Sequence, residues 1–237
     1  MSIPNSNLFV NHEIIHCVVN TTERYKMSIK EKRIDPRVRR TRQLLRNALW
    51  ELIPEKGYEA ITIQEIADRA TLNRTTFYLN YRDKADLLYQ GIEDVIEGLL
   101  LRDHLSVVSE DIISLEKTRF AFEKDFEHFA ENFEFYSAML GEHGVWGFFF
   151  QLQDYIYKAT KRRFESIQDK KISGSVSAEF VLNYIATAYM GTIRWWIKNQ
   201  MPHTPSEMAS QLIWIYSQGV FKALGLEVGT SNELHSD

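Results

Sequence analysis

The chain has one cysteine, Cys17, in 237 residues, so no internal disulfide can form. Long apolar runs are also missing. The longest uncharged stretch near the C-terminus, "FVLNYIATAYMGTI" from Phe180 to Ile193, has 14 residues and contains Asn183. It falls short of the ~20 residues that cross a bilayer and reads as a buried helix, so no membrane partner is expected. The N-terminus lacks a basic region followed by an apolar run and a small-residue cleavage site, which with the lone cysteine makes a reducing cytoplasm the expected home. Catalytic signatures are absent too. There is no Gly-x-Ser-x-Gly elbow and no phosphate-cradling loop, and the Ser-x-x-Lys spelling at Ser114 to Lys117 has no accompanying motif. Helical metal sites use paired Glu-x-x-His segments; no such pair is present, and Asp125 with His128 is a near miss. No enzyme, metal site or cofactor is expected, and Cys17 lies outside any periodic segment.

What is present is 44% hydrophobic residues, enough for a buried core, and an uneven charge. The net charge of −4 hides a division along the chain: residues 28–90 carry 13 basic and 9 acidic side chains, whereas residues 91–237 carry 13 and 21. An anionic partner would therefore meet the N-terminal part.

Residues 1–35 show no sustained periodicity and read as a flexible arm. Within it, Met27 opens "MSIKEKRIDPRVRRTRQ", which has the look of an N-terminus in its own right. Two readings of residues 1–26 stay open, a native arm or an upstream extension. From Pro36 the pattern is helical. Leu45, Ala48, Leu49 and Leu52 share one face of a helix that stops near Gly57, with Pro54 expected to distort its last turn. Arg37, Arg39, Arg40, Arg42 and Arg46 lie on its other face and leading end.

Thr62 with Glu65 three residues later forms a capping box ahead of Ile63, Ile66 and Ala67. The helix it opens runs to about Ala70, and Asn73 caps another from Arg74 to Asn80. Two short helices joined by a three-residue turn make a helix-turn-helix. Asp83 caps a longer helix after it, and further helical patterns fall at about 114–136, 144–166, 177–199 and 205–224, with breaks at "GEHG", "SGSVS" and "MPHTP". The fold class is all-α. Its expected divisions are residues 1–35 (arm), 36–82 (DNA-binding domain of three helices), 83–226 (a larger helical domain for ligand binding and dimerisation) and 227–237 (tail).

In a helix-turn-helix the second helix lies in the major groove, so its outer face presents donors and acceptors while its inner face holds the small core. Phe77 and Tyr81 make the inner face of "TLNRTTFYLNY"; Arg74, Thr75 and Tyr78 share the other side, with Thr76 and Asn80 at its borders. Arginines of the first helix, Arg42 among them, Thr62 at a helix N-terminus and Lys84 beyond the recognition helix would add phosphate contacts.

Residues 37–84 resemble the N-terminal DNA-binding domain of the TetR/AcrR family of bacterial transcriptional repressors. The likeness rests on the arginine-bearing first helix, the G-Y-x-x-x-T link, the "IADRA" helix, the "TFY" recognition core and the lysine opening helix four. It implies an all-helical homodimer that binds a palindromic double-stranded operator through its N-terminal domains and a small inducer through its C-terminal domain. Carried over by position, the family's DNA contacts fall on Thr62, Asn73, Arg74, Thr75, Tyr78, Asn80 and Lys84. The sequence departs from the family pattern at Thr71, where glycine is usual, and at Asn80, where histidine is usual. The stretches "FEFYSAMLGEHG" and "YMGTIRWWIKNQMPHTPSEMA" resemble a regulatory-domain subtype common in Firmicutes members. A transcriptional activator shares every one of these features, and a helical adaptor using its helix-turn-helix for protein contact is the remaining alternative.

The density of aromatic residues between 105 and 200 points to a largely apolar or aromatic inducer, with His143, Trp146, Phe149, Phe150, Tyr155, Tyr189 and Trp195 as candidate lining; core packing is the competing reading for each. The last two long helices are the expected dimer surface, with Trp195, Trp196, Trp214 and Tyr216 expected to be exposed.

Overall fold

Asp35 starts the first helix by accepting a 2.8 Å hydrogen bond from the Arg37 backbone N–H, with Pro36 in the first turn, where its missing donor costs nothing. The computed structural model describes residues 35–101, 115–145, 147–165 and 176–220. The expectations for residues 1–34, Trp146 and residues 221–237 lie outside those described. Among the described residues there are α-helices and no strands. They are α1 (Pro36–Lys56), α2 (Ile63–Arg69), α3 (Arg74–Asn80), α4 (Lys84–Leu101), α5 (Leu115–Glu131), α6 (Phe133–Leu140), α7 (Phe148–Glu165), α8 (Ala178–Lys198) and α9 (Pro205–Ile215). A 3-10 turn, Tyr58–Ala60, links α1 to α2, and a π-helical turn, Tyr216–Val220, follows α9.

The chain divides into two compact units. The first takes α1 to α4, α6 and the opening turn of α7, and so extends past residue 82; the second takes α5, the rest of α7, α8 and α9. In the first unit Leu45, Leu49, Ile53, Ile66, Phe77, Leu87 and Leu88 are fully buried. The helix α1 passes through Pro54 without interruption and closes with the Gly57 N–H on the Ile53 carbonyl at 2.8 Å, so the expected distortion does not end it. Trp50 packs edge-on against Phe135 of α6 at 5.0 Å between ring centroids.

Gly91 lets α4 pass close to Trp50. A Cβ at this position would lie 2.6 and 2.9 Å from two atoms of the indole, which is held in the core. Alanine normally improves a helix over glycine by about 1 kcal/mol, but overpacking a rigid ring costs about 1–3 kcal/mol. The sign should therefore reverse: Gly91→Ala is expected to lower stability by ~1–2 kcal/mol, read as a lower urea midpoint at constant m value. A gain of stability would contradict this packing.

The turn from α2 to α3 closes as a Schellman motif, with the Thr71 N–H on the Asp68 carbonyl at 3.0 Å and the Leu72 N–H on the Ala67 carbonyl at 2.8 Å. The motif forces Thr71 to φ 54°. A β-branched residue there carries strain of ~1–2 kcal/mol, offset in part by its hydroxyl donating to the Ala70 carbonyl at 2.7 Å. The usual glycine of the family fits this backbone; threonine bears it. Thr71→Gly should raise stability by about 0.5–1 kcal/mol, since the strain relieved exceeds glycine's entropic cost. A melting temperature below that of the parent would show that the hydroxyl bond holds the turn.

The helical pattern over 114–136 is two helices, because Asn132, at φ −113° and ψ 34°, leaves helical geometry without a side-chain cap. In the second unit α5, α8 and α9 meet around an aromatic cluster: Phe122 and Phe126 contact Tyr189, Phe126 contacts Trp196, and Phe122 contacts Tyr216. Trp196 and Tyr216 are buried here, which corrects the expectation that they are exposed. The Trp196 indole N–H donates to the His203 carbonyl at 2.8 Å, anchoring the loop before the capping box of Thr204 and Glu207 that opens α9.

Candidate nucleic-acid interface

The helix-turn-helix is positioned by reciprocal caps. At α2 the Glu65 N–H donates to the Thr62 hydroxyl at 3.2 Å, and the Glu65 carboxylate accepts from the Thr62 N–H at 2.9 Å. Lys56 and Thr62 together hold the Glu65 carboxyl down to about 2, so the box stays ionised through the physiological range. Arg69 binds both oxygens of Glu55 at 2.9 and 2.8 Å, tying α2 to the end of α1 with bidentate geometry.

At α3, Asn73 accepts from the Thr76 N–H at 2.7 Å and the Thr76 hydroxyl at 2.9 Å, and Asn80 donates back to the Thr76 carbonyl at 2.9 Å. Asn73, Thr76 and Asn80 thus fix the helix with their side chains. Opposite the buried Phe77 and Tyr81, α3 presents Arg74, Thr75 and Tyr78 to solvent. The Arg74 guanidinium lies 5.5 Å from the Tyr78 ring centroid and donates to its hydroxyl at 3.1 Å, joining the two side chains on this face. A residue that polarity alone passes over completes this face: Leu79 is 80% exposed. Its position four residues after Thr75, away from Phe77, was the available signal.

Two other sequence-derived contacts stand apart. Arg42 sits on α1 with its guanidinium 5.7 Å from the Tyr81 ring centroid. Lys84 does not offer a free ammonium to a phosphate: its Nζ donates to the carbonyls of Tyr58 at 2.7 Å, Ile61 at 2.9 Å and Glu59 at 3.2 Å, and lies 4.4 Å from the Tyr58 ring centroid. Burial lowers its pKa from the ordinary lysine value, opposed by Glu59 and Glu65. All three ammonium hydrogens have acceptors within the fold.

The candidate ligand residues are divided between the two units. Tyr189 is buried in the aromatic cluster and donates to Asp125 at 3.1 Å; Trp195 and Phe150 are exposed, with Trp195 6.2 Å from the His203 ring. His143 is exposed, Tyr155 and Phe149 are half-buried, and Phe149 meets Phe150 edge-on at 5.5 Å. Among the described residues no three His, Cys, Asp or Glu side chains are placed to hold a metal ion, and no helix is long and apolar enough to cross a membrane.

Capped short helices presenting a polar outer face define a helix-turn-helix DNA-binding protein. Residues 45–90 match the model for bacterial regulatory proteins of the tetR family, and residues 116–218 match a transcriptional regulator C-terminal region, TetR_C_8. The chain belongs to the TetR family of transcriptional regulators, which are DNA-binding regulators and not enzymes. Over 81 residues, 34% of this chain, it is 40% identical to the uncharacterized HTH-type transcriptional regulator YxbF of Bacillus subtilis. That match spans 21% of YxbF, about a fifth of its length. The Bacillus relative agrees with the Firmicutes likeness of the C-terminal stretches. NalD of Pseudomonas aeruginosa, described as the secondary repressor of the MexAB-OprM multidrug efflux pump, superposes with a TM-score of 0.55 at 16% identity, covering 77% of this chain and 97% of NalD. FadR of Bacillus subtilis in complex with stearoyl-CoA gives 0.50 at 17% identity, covering 78% and 99%. At these identities the likeness is one of fold.

Proposed function

We propose that the chain is a ligand-responsive repressor that binds a palindromic operator as a homodimer. The observation that carries the DNA reading is the outer face of α3, where Arg74, Thr75, Tyr78 and Leu79 are exposed while neighbouring polar side chains are taken up in caps. Arg74 with Tyr78 suits phosphate or guanine, Thr75 suits a base edge, and Leu79 suits a thymine methyl group. Fluorescence anisotropy on DNA beside the chain's own gene tests this. Arg74→Ala should weaken binding to every sequence, whereas Thr75→Ala and Leu79→Ala should alter base preference at fixed positions. Wild-type binding by all three would overturn the assignment.

An apolar or aromatic effector is the proposed signal, acting by favouring a dimer whose recognition helices no longer match successive major grooves. The NalD description as a repressor and the stearoyl-CoA held by FadR support this reading by analogy. Gln151 of α7 adds support from this chain: its residue is 9% exposed, and both amide atoms are buried without a hydrogen-bond partner among the described residues. An unpaired buried polar group costs about 1–3 kcal/mol. Gln151→Leu is expected to raise stability by ~1–2 kcal/mol in the ligand-free protein and to weaken the response to effector. A loss of stability would show that the amide is satisfied within the fold.

A further inference from the structure

Between α1 and α4 the first unit has an open cleft of about 490 Å³, lined by arginines of α1, by Tyr81 and Arg82, and by the polar face of α4 that carries Asp86, Gln90 and Glu93. Most of its charge is already matched. Asp94 pairs with Arg46, and Asp86 accepts from the Arg82 backbone N–H at 2.9 Å, the Arg82 guanidinium at 3.2 Å and the Gln90 amide at 3.0 Å. What remains is Arg39 and Arg42 against a single carboxylate, Glu93. Neither arginine forms an ion pair with a described residue, and the Arg42 Nε is buried with no hydrogen-bond acceptor. The Tyr81 ring holds that guanidinium in place at 5.7 Å. Three arginines spaced three and four residues apart on one helix also repel one another: Arg42 contributes to lowering the Arg46 pKa, after the larger effect of burial.

We propose that this cleft is a phosphate-binding site in which Arg39 and Arg42 supply the fork-shaped donors and Tyr81 fixes the orientation of Arg42. An anion there satisfies the desolvated Arg42 N–H and relieves the repulsion along α1. The phosphate has two possible sources, a backbone phosphodiester of bound DNA or a free phosphorylated small molecule. The second would place an effector beside Tyr81, the residue that ends the recognition helix, independently of any ligand in the C-terminal region.

The test follows the Arg42 side-chain Nε–Hε resonance in the full-length 15N-labelled protein, assigned by its loss in Arg42→Lys. Inorganic phosphate is titrated at constant ionic strength balanced with sodium chloride, and a short DNA duplex is titrated separately. A saturable shift with millimolar phosphate, weakened at least about fivefold in Arg39→Gln, is the expected result for a free anion. A shift with the duplex and none with phosphate assigns the site to the DNA backbone. Each outcome supports the proposal and names the source, and the phosphate arm is readable even if the chain binds no DNA. No movement of the resonance in either arm, or an equal shift with chloride alone, overturns it. Arg39→Gln melting at the parent's temperature shows that its weaker binding is not a loss of fold.

Discussion

Replacing Lys84 with methionine is expected to lower stability by ~2–4 kcal/mol, a fall of roughly 4–16 °C in melting temperature for a chain of this size. The lysine is the shared donor for three backbone carbonyls in the segment that leads from α1 into α2, and its partners are 23 to 26 residues away in sequence. Methionine keeps the stem and removes the ammonium, leaving the carbonyls of Tyr58 and Ile61, both in buried residues, without that donor. Arginine should not rescue the loss, because a planar fork cannot aim three donors at one converging set of oxygens. The competing role is a phosphate contact. In that case stability would hardly change and the slope of log affinity against log salt would flatten by about one unit. Thermal melts and a salt series on one variant separate the two.

Placing acidic residues on the outer face of α8 and α9 should abolish dimerisation and reduce operator affinity by about 10²–10⁴, the contribution of linking two half-site contacts. Phe180, Tyr184, Gly191 and Trp195 follow one another at spacings of four, seven and four along α8, on a single exposed face. Phe180 is 65% exposed and Trp214 on α9 is 66% exposed, with Ile215 beside it. An apolar surface of this kind in one protomer marks an interface. Gly191 strengthens the argument. A glycine within a helix costs about 1 kcal/mol relative to alanine, and a Cβ at Gly191 meets no atom within 4 Å among the described residues. Nothing among the described residues calls for glycine here, whereas close approach by a partner helix would. Tyr184→Glu with Trp214→Glu should give a folded monomer by light scattering, and Gly191→Leu should weaken the dimer while leaving the helix intact. A dimer that survives all three substitutions places the interface elsewhere.

The local features of the fold were legible because their signals lie within a few residues of one another. Thr62 with Glu65, Asn73 before Arg74, and Thr204 with Pro205 and Glu207 are cap chemistry read directly from spelling, and each opens the helix it announces. Thr71 shows the same logic in reverse, since its departure from glycine marks a position at φ 54°. Partner choice across long sequence distance was not legible. Lys84 has the charge of a phosphate ligand, and only the folded chain brings Tyr58, Glu59 and Ile61 to its ammonium. Likewise the C-terminal aromatics look alike in sequence, while the aromatic cluster buries Trp196 and Tyr216 and leaves Trp195 and Trp214 outside. The break at Asn132 carried no proline or glycine, and its asparagine, a cap residue by type, makes no capping hydrogen bond, so two helices read as one.

Recognition of a two-fold operator by α3 would show in a footprint. With the full-length protein and the intergenic DNA beside its gene, the account predicts protection of two inverted half-sites whose centres lie about one helical turn, 34–36 Å, or a multiple of that apart. Substituting Thr75 should change the preferred base at the same position in both halves. Protection without symmetry, or no protection at low salt where phosphate contacts are strongest, would contradict it.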